Sequence, residues 1–281
     1  MRVVRAAYAG ACYGVQRALD LALKAVEDGG RAYTLGPLIH NPQVVAQLAE
    51  RGVRAVDGVE DVAGAGTVVI RSHGVTPDVY RTCEARGIPV IDATCPHVAH
   101  IHQLVEQYSG NGDAVVIVGE ADHPEVIGIA GWAHGKVFIL PDAQAAEEAE
   151  LPKKALVVAQ TTIRRDRFDS VLQVLRRRVP DLTQRITICA ATSQRQQEAE
   201  KLSGEADVMV VVGGRNSSNT QKLLETCRLR CERSVLVETP EDVPPDLAEA
   251  DDRVALTAGA STPQWLLEQV RARIEENAKT R

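Results

Sequence analysis

The 281-residue chain, with 44% hydrophobic and 25% charged side chains, has the makeup of a soluble globular protein able to bury a large core in up to about three domains. Its net charge of -6 argues against a broad nucleic-acid surface but leaves room for a local basic pocket. No apolar run reaches the roughly 20 residues of a membrane helix, no signal peptide precedes the first strand pattern, and six cysteines in this setting read as metal ligands or reduced thiols rather than disulfides, so a cytoplasmic protein is expected.

Short apolar strands alternate with amphipathic helices from end to end. Val3 to Ala7 is a strand pattern ahead of Cys12, and Tyr13 to Glu27 is a helix stopped by Gly29-Gly30. Ala32 to Leu35 leads into Gly36-Pro37-Leu38-Ile39-His40-Asn41, where Pro42 suits the first turn of a helix ending near Gly52. Val53 to Val56 and Thr67 to Arg71 follow as strands. The second runs into Ser72-His73-Gly74-Val75 and a helix from Pro77 to Arg86.

Ile88 to Asp92 then leads to Cys95 and a helix from His97 to Tyr108. Ala114 to Val118 carries Gly119, and His123-Pro124-Glu125 begins another helix. Val137 to Leu140 and Ala155 to Ala159 read as strands, the second ending in Gln160-Thr161-Thr162 before a basic helix, Arg165 to Arg178. Ile186 to Ile188 precedes Cys189 and a helix from Thr192 to Leu202. Val208 to Val212 runs into Gly213-Gly214-Arg215-Asn216-Ser217-Ser218-Asn219 and a helix to about Arg230. Ser234 to Val237, an acidic loop from Glu238 to Asp252, the strand Val254 to Thr257, the turn Ala258 to Pro263 and a last helix to about Asn277 complete the chain.

The pattern contains a threefold repeat. Cys12, Cys95 and Cys189 each lie between a strand pattern and a helix. A glycine follows each of them by 24 residues (Gly36, Gly119, Gly213), and four residues beyond each glycine stands His40, His123 or Ser217. Alternating strands and helices predict parallel α/β units, here as repeats over 13–94, 95–187 and 188–281 with 1–12. Repeats with one equivalent cysteine each predict a single shared metal site. The polar clusters fall between strands and helices, where open α/β sheets bind ligands and helix amino termini suit phosphate.

Thiolates favour zinc or iron–sulfur clusters. A structural zinc site wants four protein ligands, usually in close pairs. Three widely spaced cysteines instead suit a 4Fe-4S cluster with one iron lacking a protein ligand, or else are small buried hydrophobes. Cys83 lies inside a helix and Cys227 and Cys231 share a helix face, so these three stand outside the site. A lone histidine beyond a strand end is more often a cap partner than a ligand, but His40, His73 and His123 occupy comparable places. The Ser217-Ser218-Asn219 stretch is no Walker loop and alone reads as a cap or turn; together with the histidines it reads as a diphosphate cradle. Glu125 fits either helix-dipole stabilisation or proton transfer.

With these residues assembled the whole chain resembles the LytB/IspH family of 4-hydroxy-3-methylbut-2-enyl diphosphate reductases. The segments that carry the resemblance, in order, are GACYGV, LIHNPQVV, SHGV, IDATCP, HPEV, QTT, TIC, RNSSN and TAGAS. It implies a trefoil of three pseudo-threefold-related α/β domains around a central cavity, with a 4Fe-4S cluster on Cys12, Cys95 and Cys189. It implies diphosphate binding by His40, His73, His123, Ser217, Ser218, Asn219 and Ser261. Thr161 matches the threonine near the substrate hydroxyl and Glu125 the proton-delivering acid. The implied reaction, a step of isoprenoid biosynthesis in the methylerythritol phosphate pathway, removes that allylic hydroxyl reductively and gives isopentenyl and dimethylallyl diphosphate. No flavin or nicotinamide fingerprint is present, so electrons are expected from an external carrier such as ferredoxin or flavodoxin.

Two departures stand beside the cysteines. The family's usual Gly-Phe-Cys-Ala-Gly is here Gly10-Ala11-Cys12-Tyr13-Gly14, and its Tyr-Ala-Thr after the third cysteine is Ala190-Ala191-Thr192. A tyrosine gained and one lost read as a compensating swap or a reshaped pocket. The competing readings are a diverged cluster-dependent reductase with another substrate and a non-catalytic iron–sulfur sensor or carrier. A carrier needs neither the polar cradle nor Glu125, which favours an enzyme.

Overall fold

A computed structural model describes residues 1–27 and 30–279. Gly29 of the expected Gly29-Gly30 stop lies outside the described residues. In chain order the elements are β1 (Arg2–Arg5), α1 (Tyr13–Lys24), β2 (Ala32–Leu35), α2 (Pro42–Glu50), β3 (Val53–Val56), β4 (Thr67–Ile70), α3 (Pro77–Ala85) and β5 (Val90–Asp92). Next come α4 (Pro96–Ser109), β6 (Ala114–Val118), α5 (Pro124–Gly131), β7 (Val137–Leu140), α6 (Ala143–Glu148), β8 (Lys154–Ala159), α7 (Arg165–Arg178) and β9 (Asp181–Gln184). The chain ends with α8 (Ala190–Ser203), β10 (Val208–Val212), α9 (Ser218–Arg228), β11 (Ser234–Val237), β12 (Arg253–Ala258) and α10 (Gln264–Lys279).

These strands form three four-stranded, wholly parallel sheets with orders β3-β2-β4-β5, β7-β6-β8-β9 and β11-β10-β12-β1. In each, the second strand of the repeat is at one edge, followed by the first, third and fourth. The last sheet takes its fourth strand from the start of the chain, with Val3 opposite Val254 and Arg5 opposite Leu256. The chain has two compact units, one of residues 1–15, 39–45 and 190–281, the other of residues 16–38 and 46–189.

Parallel sheets covered on both faces call for strands that are apolar throughout, and β6 and β10 are buried at every position. The pleat then sends successive residues to opposite layers. Val116 and Val118 join Phe168, Leu172 and Leu175 of α7. Val115 and Ile117 join Ile101 and Val105 of α4 and Ile129 of α5. In the other unit Val208, Val210 and Val212 meet Leu266, Leu267, Val270 and Ile274 of α10. Met209 and Val211 meet Ala199 of α8 and Leu223, Leu224 and Cys227 of α9. Among the described residues no helix is long and apolar enough to cross a membrane.

The strand leading to Cys189 lies earlier than Ile186 to Ile188. It is the polar edge strand β9, paired with β8 from Lys154 to Val157. Beyond it the Thr187 side chain takes over the ladder, accepting from Ala159 N at 2.7 Å and donating to Ala159 O at 2.6 Å. Ile186 is thereby turned outward, 55% exposed. Cys231 lies past the end of α9, so it and Cys227 do not share one helix; Cys231 N donates to Cys227 O across the closing turn.

Phe168 is fully buried among these side chains. Phe168→Ala should cost about 3–5 kcal/mol, read as a lowered urea midpoint, with Phe168→Leu costing markedly less. Equal midpoints for the two variants would show that the site collapses around the smaller side chain.

Candidate active site

The equivalence of the cysteines extends to their backbone bonds. Each immediately precedes the first residue of a helix: Tyr13 of α1, Pro96 of α4 and Ala190 of α8. Each donates its amide to a carbonyl just beyond the third strand of a sheet: Cys12 to Ala260, Cys95 to Ser72 and Cys189 to Thr161, all at 3.0 Å. The glycines repeat likewise. Gly36, Gly119 and Gly213 donate to Val56, Leu140 and Val237, the last residues of β3, β7 and β11. Cys12, Cys95 and Cys189 are half-buried, at helix starts whose free N–H groups favour negative charge. Cys83, Cys227 and Cys231 are buried, and burial raises the Cys83 thiol and pushes Cys227 up to about 12, the behaviour of inert packing thiols.

In the unit of residues 16–38 and 46–189, His73, His123, Thr161, Cys95 and Cys189 lie between strands and helices, and Glu125 lies in the first turn of α5. His123 caps α5, its Nδ1 accepting from Glu125 N at 3.1 Å, as the cap reading expects. That contact leaves the proton of the neutral ring on Nε2. The His73 and His123 rings meet edge to face at 5.5 Å. Gly74, at φ +71°, makes the turn beside His73. A Cβ there would come within 2.4 Å of the His102 ring, so glycine is required twice over.

Glu125 is 2% exposed. Thr161 N donates to its Oε1 at 2.5 Å, and Thr161 Oγ1 lies 2.8 Å from its Oε2. Since Thr161 O also accepts from Cys189 N, one threonine joins the buried carboxyl to the cysteine loop. The Cys95 turn is held differently. Arg17 donates to the carbonyls of Asp92 and Thr94, and the Asp92 carboxylate accepts from Thr94 N and the Tyr80 hydroxyl. Burial and the nearby Asp92 charge push that phenol up to about 12.

The other unit holds Cys12, His40, Ser217, Ser218, Asn219 and Ser261. Ser261 Oγ donates to His40 O at 3.1 Å, and a Cβ on Gly214 would come within 2.4 Å of that same carbonyl. Ser217 caps α9, accepting from Thr220 N, while Ser218 Oγ accepts from Lys222 Nζ at 2.6 Å. Asn219 is 5% exposed, and neither atom of its side-chain amide has a partner among the described residues. A buried amide left without protein partners is suited to a bound polar ligand.

Several residues at these loops carry no motif. Glu198 of α8 accepts from Ala7 N and Tyr8 N, and Arg195 donates to Tyr8 O and Gly10 O, gripping the turn before Cys12. Arg195 is 4% exposed and Lys222 2%; charges on helix faces that the repeat turns inward are the only sequence signal for either. The Tyr13 phenol is 71% exposed and Ala190 is also exposed.

The family model described as LytB protein matches residues 3–275. A 4-hydroxy-3-methylbut-2-enyl diphosphate reductase of Geobacter metallireducens is 42% identical over 282 residues, covering 100% of both chains. A solved (E)-4-hydroxy-3-methyl-but-2-enyl diphosphate reductase, described as the terminal enzyme of the non-mevalonate pathway, is 40% identical with a TM-score of 0.72, covering 98% of this chain and 100% of that one. The E-1-hydroxy-2-methyl-but-2-enyl-4-diphosphate reductase of Plasmodium falciparum is 26% identical with a TM-score of 0.92, covering 96% and 87%.

One buried base beside these loops has a measurable consequence. His102 stacks on Trp132 at 5.3 Å, and burial pushes its pKa from 6.5 down to about 4 against the pull of Asp92. Between those values the unfolded chain binds the proton and the folded chain does not, so this contribution is full above pH 6.5 and lost as pH falls toward 4. Lowering the pH from neutral to 5 should remove about 2 kcal/mol through this group. His102→Gln should flatten that part of the dependence of the urea midpoint on pH; an unchanged slope would assign it to other groups.

Proposed function

The chain belongs to the LytB protein family, and from that premise we propose that it reductively dehydroxylates 4-hydroxy-3-methylbut-2-enyl diphosphate to isopentenyl and dimethylallyl diphosphate. The conversion takes up two electrons and two protons and releases water. What supports this most directly is the Glu125–Thr161 pair, a buried acid tied by one residue to the Cys189 loop. A sensor or carrier has no use for that pair.

Cys12, Cys95 and Cys189 would hold a 4Fe-4S cluster. The fit rests on three soft ligands in equivalent, half-buried positions, set apart from three buried thiols. When bound, the cluster would relay electrons from the donor and supply a Lewis-acidic iron. The identical strand orders support repeats over 13–94, 95–187 and 188–281 with 1–12. The electron donor is an external carrier such as ferredoxin or flavodoxin, and the enzyme works in the cytoplasm.

The protein's own residues bind the diphosphate and move a proton. His40, His73, His123, Ser217, Ser218, Asn219 and Ser261 take the diphosphate. His123 offers its Nε2 proton, because Nδ1 is engaged by Glu125 N. Asn219 offers an amide without another partner among the described residues. A proton held on Glu125 Oε2 has Thr161 Oγ1 within hydrogen-bond distance, and the threonine hydroxyl passes its own proton on to the leaving hydroxyl. The Thr161 N–H keeps Glu125 oriented throughout.

Two experiments test the assignment. Anaerobically purified protein should contain about four irons per chain, with iron lost in the Cys12, Cys95 and Cys189 serine variants and kept in Cys83→Ala, Cys227→Ala and Cys231→Ala. Iron loss from any of the last three would reassign the ligands. Glu125→Gln keeps the shape of the carboxyl but not its proton. It should retain iron and substrate binding while turnover falls about 10²- to 10⁴-fold. Wild-type turnover in that variant would remove Glu125 from the proton path.

A further inference from the structure

The turn that carries His73 is seated on the same helix that begins with His123 and Glu125. That helix, α5, runs from Pro124 to Gly131, with His123 as its amino-terminal cap and Trp132 closing its far end. Glu125, Gly128 and Trp132 follow one another at i, i+3 and i+7, a spacing that puts them on one face. Along that face the helix meets residues 73–76. A Cβ on Gly128 would lie 3.4 Å from His73 O and 3.6 Å from the carbonyl carbon of Gly74, so the glycine lets helix and turn come together. A Cβ on Gly131 would run into the Thr76 side chain. Trp132 Nε1 donates to Val75 O at 3.0 Å. All of these residues belong to the unit of residues 16–38 and 46–189.

The indole that makes this directional bond is itself held on two sides. Its face stacks on His102 at 5.3 Å with 19° between the planes, and Tyr80 meets it edge-on at 6.2 Å. The His102 ring in turn lies against Gly74, where a Cβ would strike it. Trp132 thus ties Val75 directly and braces the ring that supports Gly74, the neighbour of His73. Val75 is buried, so water does not readily replace a bond lost at its carbonyl.

We propose that Trp132 is a positioning residue of the reaction: by tying the His73 turn to α5 it sets the offset between the diphosphate contact at His73 and the acid at Glu125. The inference rests on the function proposed above and deepens it. In that substrate the diphosphate and the departing hydroxyl sit at opposite ends of one short carbon chain. A site that grips the first group must therefore present its acid at a fixed separation. A single short helix that carries Glu125 at one end and anchors the His73 turn along its face supplies that separation. A misplacement of about 1 Å between reacting groups can cost about 10²-fold in rate.

The test uses anaerobically purified wild type, Trp132→Phe, Gly131→Ala, His73→Ala and the Trp132→Phe/His73→Ala double variant. Iron content, inorganic pyrophosphate binding by calorimetry and turnover of the proposed substrate are measured for each. Trp132→Phe keeps an aromatic ring against His102 and removes the N–H. It should retain iron, bind pyrophosphate about 10-fold more weakly, the scale of one hydrogen bond to a charged group, and lose kcat as well. Gly131→Ala leaves the indole in place and wedges the turn from the helix, so the same losses are expected. The double variant should bind no worse than His73→Ala alone, because the indole acts through that histidine. If Trp132→Phe does not fold, Gly131→Ala with and without His73→Ala carries the same comparison. Wild-type affinity and kcat in Trp132→Phe and Gly131→Ala beside weakened binding in His73→Ala would overturn the proposal and leave the diphosphate reading intact. Equal losses from Trp132→Phe with and without His73 would also overturn it, since the indole would then act on the fold at large. Unchanged pyrophosphate binding in His73→Ala would overturn both.

Discussion

Three backbone and side-chain bonds of Thr161 fix the chemistry of its unit. Its amide and hydroxyl engage the two oxygens of Glu125, and its carbonyl receives the amide of Cys189. A carboxyl that is 2% exposed does not keep its orientation by solvation. It must be held by hydrogen bonds, because an unsatisfied buried polar group is costly. Thr161 supplies those bonds only because β8 ends two residues earlier, at Ala159. The sheet therefore sets the position of the acid.

The same reasoning applies to every loop of the site. Parallel strands deliver all their carboxyl ends to one edge of a sheet, and the following helices present unpaired N–H groups there. A site built from such loops starts with positive potential before any charged side chain is added. In a chain of net charge -6 this matters, since any attraction for an anion has to be local. His123 and Ser217 each cap a helix there, accepting from Glu125 N and Thr220 N.

Packing closes in on these loops from behind. Gly74 lies against His102, and Gly214 lies against the His40 carbonyl, where any Cβ would collide. His102 remains neutral over most of the pH range because it is enclosed against Trp132. Arg17 and Arg195 hold carbonyl groups of the turns leading to Cys95 and Cys12. These arginines supply donors to the carbonyls of Thr94, Tyr8 and Gly10, which lie outside the helices and strands.

The sequence by itself determined the alternation of strands and helices, the threefold spacing of Cys12, Cys95 and Cys189, and the polar loops at strand ends. Such features are local: they depend on period-2 apolar runs, on glycine turns and on fixed intervals along the chain. It did not disclose β9, whose polar edge positions carry no apolar signal, and it overvalued Ile186 to Ile188, where the Thr187 side chain ends the ladder. Nor did it disclose Lys222 or Arg195, which look like ordinary solvated helix charges until the packing of α8 and α9 turns them inward, or Glu198, which accepts from the amides of Ala7 and Tyr8. Tyr13 shows the reverse, a residue that looks consequential beside Cys12 and whose ring the fold leaves at the surface. Only the tertiary structure decided these cases, because whether a charge is solvated or buried depends on residues distant in sequence, and no local pattern encodes that.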